Sequence, residues 1–238
     1  MDKSKDKRRD KKQYSLDQSS VTSHDCYYPI LLNLSGRKCI VIGGGRVAER
    51  KVCSLLVSGG TVSVIAPFIT DHLRVLSQKN KITFINRAYE KGDLKGAFLV
   101  IAATDSSPVN KSVYEETREL GIMADIVDEL QLCDFIVPSC IRRGPLIITV
   151  STSGKSPCLS KKIRKDLESI YSEAYGTFTS MLGNMRDRVQ KEIPVPEKRK
   201  KFWETLMESN IAELLKDGKN REVEDLIEEI FSHYKSEE

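Results

Sequence analysis

Three consecutive glycines between an apolar run and an amphipathic run constrain this chain more than any other feature. The β-branched run Lys38–Ile42 predicts a strand, and apolar residues recur at helical spacing after Gly45. Between them, Gly43-Gly44-Gly45-Arg46-Val47-Ala48 fits the pattern Gly-x-Gly-x-x-Ala. In this pattern the first glycine permits a tight turn, the second admits a pyrophosphate, and the alanine lets the helix pack on the strand. The sequence therefore predicts a dinucleotide site at residues 43–48.

The segments that follow the glycines predict a parallel sheet, because short apolar runs alternate with helix-like runs. Further strands are predicted at residues 61–66, 82–85, 98–103 and 122–127. Helices are predicted at residues 46–58, 70–78 and 108–120. Strands separated by helices are typical of βαβ units. We expect this half to be an α/β, Rossmann-like doubly wound parallel sheet.

The pattern changes after Asp128. Two apolar runs, 135–141 and 146–150, flank a turn-like Arg-Arg-Gly-Pro insert and predict a small antiparallel β-hairpin. Ser156-Pro157 then supplies a helix N-cap and a first-turn proline. The remaining third has helical periodicity, with breaks at Pro194 and Pro196 and further helices at 202–215 and 223–234. We therefore expect a C-terminal helical domain.

Charge and composition narrow the possible partners. Residues 1–13 contain seven Lys or Arg and three Asp, so they account for the whole net charge of +4. A neutral body with one basic tail is not typical of a nucleic-acid-binding domain, and the polar residues 1–26 are predicted to be disordered. No apolar run is long enough to span a bilayer, and the start lacks a signal-peptide core. We expect a cytoplasmic protein that binds neither nucleic acid nor membranes.

Cysteine and histidine are sparse and widely spaced. The six cysteines form no Cys-x-x-Cys pair, and Cys39 and Cys53 lie in apolar contexts that predict reduced core thiols. The three histidines are far apart along the chain. Neither a disulfide framework nor a metal site is predicted.

Several residues that follow predicted strands are candidates for the same site, since ligands of doubly wound folds bind at the carboxyl ends of strands. Pro67 and Phe68 follow the second strand, and their backbone is placed to contact adenosine. No acidic residue ends that strand, so the choice between NAD and NADP stays open. Thr104 and Asp105 follow another strand, with a helix cap as the alternative role. Asp128 follows the last strand and is a candidate for chemistry, although a loop carboxylate is more often a solvated cap.

Basic residues crowd the segment after the hairpin. They are Arg142, Arg143, Lys155, Lys161, Lys162, Arg164 and Lys165. A solvated helix face would explain about half of them. Near a cofactor site, the others would suit a substrate that carries several carboxylates.

Taken together, these motifs resemble a known family. The segments VIGGGRVAERK, IAATD, VDELQLCDFIVPS and GPLIITVSTSGKSP, in this order, resemble the precorrin-2 dehydrogenase/sirohydrochlorin ferrochelatase module of sirohaem synthesis. The resemblance covers residues 27 to about 234. It implies a tail at 1–26, a Rossmann domain at 27–136, a dimerisation segment at 137–168 and a helical, substrate-side domain at 169–238.

The resemblance also implies an activity. It implies a homodimer that oxidises precorrin-2, a tetrapyrrole with eight carboxylates, to sirohydrochlorin with NAD⁺, and in some members inserts Fe²⁺. The family's aspartate falls on Asp128, and the resemblance implies that it is a general base for both reactions. Its cofactor positions fall on Arg46, Val47, Pro67 and Phe68. A serine that is phosphorylated in the fused bacterial enzyme falls on Thr152, in the substrate-side loop Thr152-Ser153-Gly154-Lys155.

A non-catalytic module that senses NAD(H) and signals to a partner is the alternative hypothesis. It explains the glycine pattern equally well. It leaves the hairpin, the Gly-Lys-Ser-Pro loop and the basic helix without a role. A tetrapyrrole that binds to the chain would favour the enzyme.

Overall fold

The computed structural model describes residues 27–236 of the 238-residue chain. The predictions for the tail at 1–26 lie outside the described residues. The chain consists of two compact units, of which the first ends at Ile136 and the second begins at Val137.

The first unit is built on a five-stranded parallel sheet, which confirms the predicted α/β class. Its strands are β1 Lys38–Ile42, β2 Thr61–Ile65, β3 Ile82–Ile85, β4 Leu99–Ala102 and β5 Met123–Ile126. The order across the sheet is β3-β2-β1-β4-β5. The chain therefore runs outward from β1 in one direction and then continues from β4 in the other, which is the doubly wound topology.

Helices cover both faces of this sheet. They are α1 Arg46–Val57, α2 Asp71–Gln78 and α3 Ser107–Leu120. Strand β1 alternates between two cores: Cys39 and Val41 pack with Val52 of α1, whereas Ile40 and Ile42 pack in a second cluster with residues of α3. Because both faces of the sheet are buried, the sequence of β1 is a continuous apolar run and does not alternate between apolar and polar residues.

In its described part, residues 137–236, the second unit combines a hairpin with five helices. Strands β6 Ser139–Arg143 and β7 Leu146–Val150 pair antiparallel, with Gly144 at φ +50° in the turn. The helices are α4 Pro157–Ile170, α5 Glu173–Glu192, α6 Pro196–Glu208, α7 Ile211–Lys216 and α8 Asn220–Ser236. Ser156 caps α4 by accepting a hydrogen bond from the Leu159 amide, as predicted from the Ser-Pro pair.

Two predicted elements of the second half differ from the structure. The run 135–141 is not one strand, because β6 begins only at Ser139 and Phe135 instead packs against the core of the first unit. The run 202–215 is two helices, since Ser209 is extended and ends α6. The predicted break is present at residues 193–195, between the end of α5 and Pro196, which starts α6. Within residues 27–236, no helix is both long and apolar enough to cross a membrane.

Candidate cofactor and catalytic site

The candidate residues of the first unit lie at the carboxyl edge of the parallel sheet. The glycine loop follows β1, Phe68 follows β2, Thr104 follows β4 and Asp128 follows β5. Strands β1 and β4 are neighbours at the point where the strand order reverses. Open α/β sheets bind their ligands in the crevice at such a switch point.

The first two glycines are required by close backbone packing. Gly43 has φ +111°, and a Cβ there would lie 2.2 Å from the Ala103 carbonyl oxygen. A Cβ on Gly44 would lie 2.0 Å from the Phe68 carbonyl oxygen. These glycines therefore let the loop fit between the ends of β2 and β4. The sequence pattern had assigned a tight turn to Gly43 and no role to Gly44.

Gly45 has a different environment, because a Cβ there would meet no atom within 4 Å. It is the N-cap residue of α1, and among the described residues no side chain accepts a hydrogen bond from the first amides of that helix. Open space beside free amides at a helix N-terminus suits a diphosphate, so the loop fits a dinucleotide. Arg46 is exposed and Val47 is 39% exposed, whereas Ala48 is buried and lets α1 pack on the sheet.

The loop after β2 is held against the glycine loop. The Thr70 amide donates to the Gly44 carbonyl oxygen at 3.0 Å, and the Thr70 hydroxyl donates to the Glu49 carboxylate. Phe68, by contrast, is 84% exposed, and Pro67 is exposed beside it. The sequence predictions missed the Glu49–Thr70 pair; Thr70 was placed inside a helix that it in fact caps.

Thr104 and Asp105 differ in their environments, since Thr104 is hydrogen-bonded to a buried residue and Asp105 is exposed. The Thr104 hydroxyl donates to the side-chain oxygen of Asn110, a residue that is 5% exposed, and the Asn110 amide returns a hydrogen bond to the Thr104 carbonyl oxygen. This pair fixes the end of β4 against α3. Asp105 is exposed and is not the helix cap, since Ser106 holds the N-cap position.

Asp128 lies two residues after the end of β5 and is exposed, with φ +67°. The left-handed region is rare for a residue other than glycine, and Asn and Asp tolerate it best. Within residues 27–236, its carboxylate has no hydrogen-bond or ion-pair partner. An unpartnered carboxylate at this edge is free to accept a proton from a bound molecule.

A polar cluster that the sequence predictions missed lies beneath the Asp128 loop. Asp125 of β5 is 6% exposed and pairs with Lys51 of α1 at 2.6 Å. The Cys133 sulfur lies 3.6 Å from the second Asp125 oxygen, 3.2 Å from the Ile126 carbonyl oxygen and 3.4 Å from the Glu129 carbonyl oxygen. Cys133 therefore joins the two ends of the loop that carries Asp128.

Burial predicts a pH dependence for this cluster. Desolvation raises the pKa of the Cys133 thiol from its usual 9.0 to about 11. Between these two pH values the folded thiol keeps a proton that the unfolded chain releases. The contribution of the thiol to the free energy of unfolding is therefore complete below about pH 9 and is lost as the pH rises through about 11. We expect the free energy of unfolding to fall by about 1–2 kcal/mol over that range. Chemical denaturation at several pH values should show a flatter profile for Cys133→Ala, while Cys158→Ala, at an exposed thiol, keeps the wild-type slope.

Cys53 is not the core thiol that its sequence context predicted. It is partly exposed, and its sulfur lies 3.7 Å from His72 Nε2, on the neighbouring helix α2. Cys39 is fully buried, as expected. The apolar neighbours of Cys53 in sequence, Val52 and Leu55, point into the core while Cys53 itself lies on the other side of the helix.

The predicted substrate-side loop lies in the second unit, between β7 and α4. Ser153 at φ +52° and Gly154 at φ +80° form its turn. The Thr152 hydroxyl accepts a hydrogen bond from the Ser156 amide at 3.0 Å, and the Thr152 carbonyl oxygen accepts one from the Lys155 amide at 2.9 Å. Thr152 therefore shapes the start of α4.

Ion pairs engage about half of the basic residues near this loop. Lys162 pairs with Asp166 at 2.9 Å, and Arg164 pairs with Glu168. Arg143 contacts Glu173 at 3.1 Å and donates to the Tyr171 carbonyl oxygen. These three residues are engaged within the chain. Lys161 and Lys165 remain exposed on α4.

Three protein-family models match consecutive segments of the chain. Residues 30–139 match an NAD(P)-binding family model. Residues 143–170 match the central region of sirohaem biosynthesis proteins, and residues 174–231 match the sirohaem synthase dimerisation region. The segment 137–168, where dimerisation was expected, thus overlaps the central model, and the dimerisation model covers helices α5 to α8.

Individual relatives agree with these matches. The chain is 38% identical to a sirohaem synthase of Nitrosococcus oceani over 202 residues and 36% identical to one of Photobacterium profundum over 196 residues. These matches cover 85% and 82% of this chain but only 43% and 42% of the relatives. The solved structure of SirC, a precorrin-2 dehydrogenase, matches 85% of this chain and all of its own, with a TM-score of 0.69 and 26% identity. The chain therefore belongs to the precorrin-2 dehydrogenase/sirohydrochlorin ferrochelatase family, the N-terminal module of sirohaem synthases.

Proposed function

We propose that this chain oxidises precorrin-2 to sirohydrochlorin with NAD⁺. The supporting observation is an open glycine loop and an unpartnered Asp128 carboxylate at the same edge of the sheet, in a chain of which 85% matches the whole of SirC. NAD is the cofactor of the NAD(P)-binding domain, and it supplies the two-electron oxidation by accepting a hydride.

The residues of the first unit have separate roles in this proposal. The amides at the start of α1 hold the diphosphate beside Gly45, and Arg46 adds a positive charge. The backbone at Pro67 and Phe68 contacts the adenosine, while Glu49 and Thr70 keep that loop in place. Thr104 and Asp105 line the crevice at the end of β4.

Asp128 removes the proton that balances the hydride. Precorrin-2 loses a hydride to NAD⁺ and a proton to the carboxylate, which gives sirohydrochlorin, NADH and one proton released to solvent. In the second unit, the loop Thr152-Ser153-Gly154-Lys155 contributes to substrate binding.

Anaerobic turnover tests this proposal. Purified protein is mixed with precorrin-2 and either NAD⁺ or NADP⁺, and NADH or NADPH absorbance is followed with time. We expect a reaction with NAD⁺ that yields one NADH for each sirohydrochlorin. A protein that binds NAD⁺ but gives no turnover and no shift in melting temperature with a tetrapyrrole supports the NAD(H)-sensing alternative instead.

Insertion of Fe²⁺ into sirohydrochlorin is a second part of the proposal. The Asp128 carboxylate is free to take the protons that leave the macrocycle nitrogens, which are the main ligands of the incoming iron. Among the described residues, no group of three or more His, Cys, Asp or Glu side chains is arranged to hold a metal ion. Sirohaem absorbance after mixing protein, sirohydrochlorin and Fe²⁺ should rise faster than in the protein-free control.

We also propose that the protein is a homodimer and that it is located in the cytoplasm. The match of residues 174–231 to a dimerisation region supports the dimer. Light scattering after size-exclusion chromatography should give twice the chain mass of 26.9 kDa. A mass of one chain at micromolar concentration would contradict this part.

A further inference from the structure

The turn that carries Asp128 has a conformation that an aspartate does not favour by itself. The Glu129 amide donates to the Ile126 carbonyl oxygen at 3.1 Å and closes a turn in which Asp128 is the third residue, with φ +67°. Glycine usually occupies such a position, because a side chain is strained in the left-handed region. A strained residue keeps its conformation only where the surrounding structure fixes it, and such residues cluster at active sites.

Cys133 contacts both ends of this turn through its sulfur. The sulfur lies 3.2 Å from the Ile126 carbonyl oxygen and 3.4 Å from the Glu129 carbonyl oxygen. It also accepts a hydrogen bond from the Ile126 amide at 3.3 Å. Because a thiol has one proton, it donates to one of the two oxygens at a time while it contacts the other. Cys133 therefore holds together the two residues between which Asp128 lies.

The residue after Cys133 is fixed to the free edge of β5, which is the last strand in the order across the sheet. The Asp134 amide donates to the Ala124 carbonyl oxygen at 2.9 Å, and the Asp134 carboxylate accepts a hydrogen bond from the Ala124 amide at 2.8 Å. Arg118 of α3 pairs with the same carboxylate. These contacts keep the Cys133 sulfur beside the turn.

An ion pair with little exposure connects Cys133 to α1, the helix that begins at the glycine loop. The Cys133 sulfur lies 3.6 Å from one oxygen of Asp125, and the other oxygen pairs with Lys51 of α1 at 2.6 Å. The Lys51 and Asp125 side chains are 16% and 9% exposed. Separating two charges at such a site is costly, so the pair holds its geometry. The turn is thus supported from the strand edge and from α1.

From these contacts, and resting on the proposed function, we propose that Cys133 is a positioning residue for the Asp128 carboxylate. It acts by holding the turn after β5, so that the exposed carboxylate keeps the orientation in which it removes the proton of the substrate. Proton transfer requires hydrogen-bond distance between the base and the reacting group. A carboxylate on a loosened turn meets this condition less often, and the rate falls although the base is still present.

Hydrogen exchange of the Glu129 amide tests this proposal without the reaction, because that amide closes the turn. We expect its protection, measured by nuclear magnetic resonance, to fall about three- to tenfold in Cys133→Ala, as for the loss of one hydrogen bond. Cys133→Ser should restore most of the protection, since a hydroxyl also donates one hydrogen bond and accepts others. Cys39→Ala is the matched control, because it removes a fully buried thiol from β1 of the same unit and should leave the Glu129 amide protected.

Anaerobic oxidation of precorrin-2 by the same variants measures the effect on the reaction. We expect kcat to fall roughly tenfold in Cys133→Ala, with KM for NAD⁺ and for precorrin-2 within about twofold of the wild type. Cys133→Ser should recover most of this loss, and Cys39→Ala should keep the wild-type kcat. In the Asp128→Asn background, Cys133→Ala should lower kcat no further, because the base that it positions is absent.

Unchanged protection of the Glu129 amide in Cys133→Ala would overturn the proposal, whether or not the protein oxidises precorrin-2. In an active protein, a wild-type kcat in Cys133→Ala, an equal loss in Cys39→Ala, or a further loss of the same size in the Asp128→Asn background would also overturn it. A wild-type protein without turnover contradicts the proposed function instead. Exchange of the Glu129 amide then still decides whether Cys133 holds the turn.

Discussion

Asp128→Asn should lower the rate of precorrin-2 oxidation roughly 10²–10⁴-fold, the range for loss of a general base. The asparagine side chain has the same size but accepts no proton at neutral pH. It also tolerates the φ of +67° at this position, so the loop after β5 keeps its conformation. The measurement is initial NADH production under anaerobic conditions with saturating NAD⁺, together with the affinity for NAD⁺, which should not change.

Glu129→Gln is the matched control for this variant. It removes a neighbouring carboxylate from the same loop, and its rate should stay close to that of the wild-type protein. If folded Asp128→Asn oxidises precorrin-2 at the wild-type rate, Asp128 is not the base. If both variants lose activity equally, the effect is one of loop charge rather than proton transfer.

Gly44→Ala should unfold or severely destabilise the first unit. The added Cβ would lie 2.0 Å from the Phe68 carbonyl oxygen and 2.8 Å from Ile69 Cγ2, so backbone must move on both sides of the contact. Such overpacking should cost at least about 3 kcal/mol, or roughly 10 °C in Tm. Thermal unfolding followed by circular dichroism measures the change.

Gly45→Ala is the control for steric strain, since its Cβ meets nothing within 4 Å and its φ of −80° suits any residue. Its stability should stay within about 1 kcal/mol of the wild type, the usual range for a change at an N-cap. Equal Tm values for Gly44→Ala and the wild type would show that the glycine loop and the loop after β2 are not packed as described.

The sequence predicted the parts of the fold that local patterns determine. Strand β1, the glycine loop and helix α1 are adjacent in sequence, so apolar periodicity and the Gly-x-Gly-x-x-Ala pattern were sufficient to predict them. Ser156-Pro157 likewise predicted the start of α4, because capping depends on residues within one turn.

Contacts between distant residues were not predictable in this way. Lys51 and Asp125 are 74 residues apart, and only the pairing of β4 with β5 beside α1 brings them together. Phe135 extended an apolar run that predicted a strand, yet its apolar character reflects packing against the sheet core. Phe202 and Leu215 share one helical period although they lie on two helices, because both helices contribute to the same core.

We propose above all that the backbone of residues 43–48 holds the diphosphate of NAD⁺. Calorimetric titration of NAD⁺ into the wild-type protein and into Gly45→Val tests this most directly. A β-branched side chain suits the extended N-cap conformation of Gly45 but projects into the open space beside the first amides of α1. We expect saturable binding of NAD⁺ to the wild type and no measurable binding to Gly45→Val, whose Tm should be unchanged. Equal affinity in both proteins, or no binding to the wild type, would contradict it.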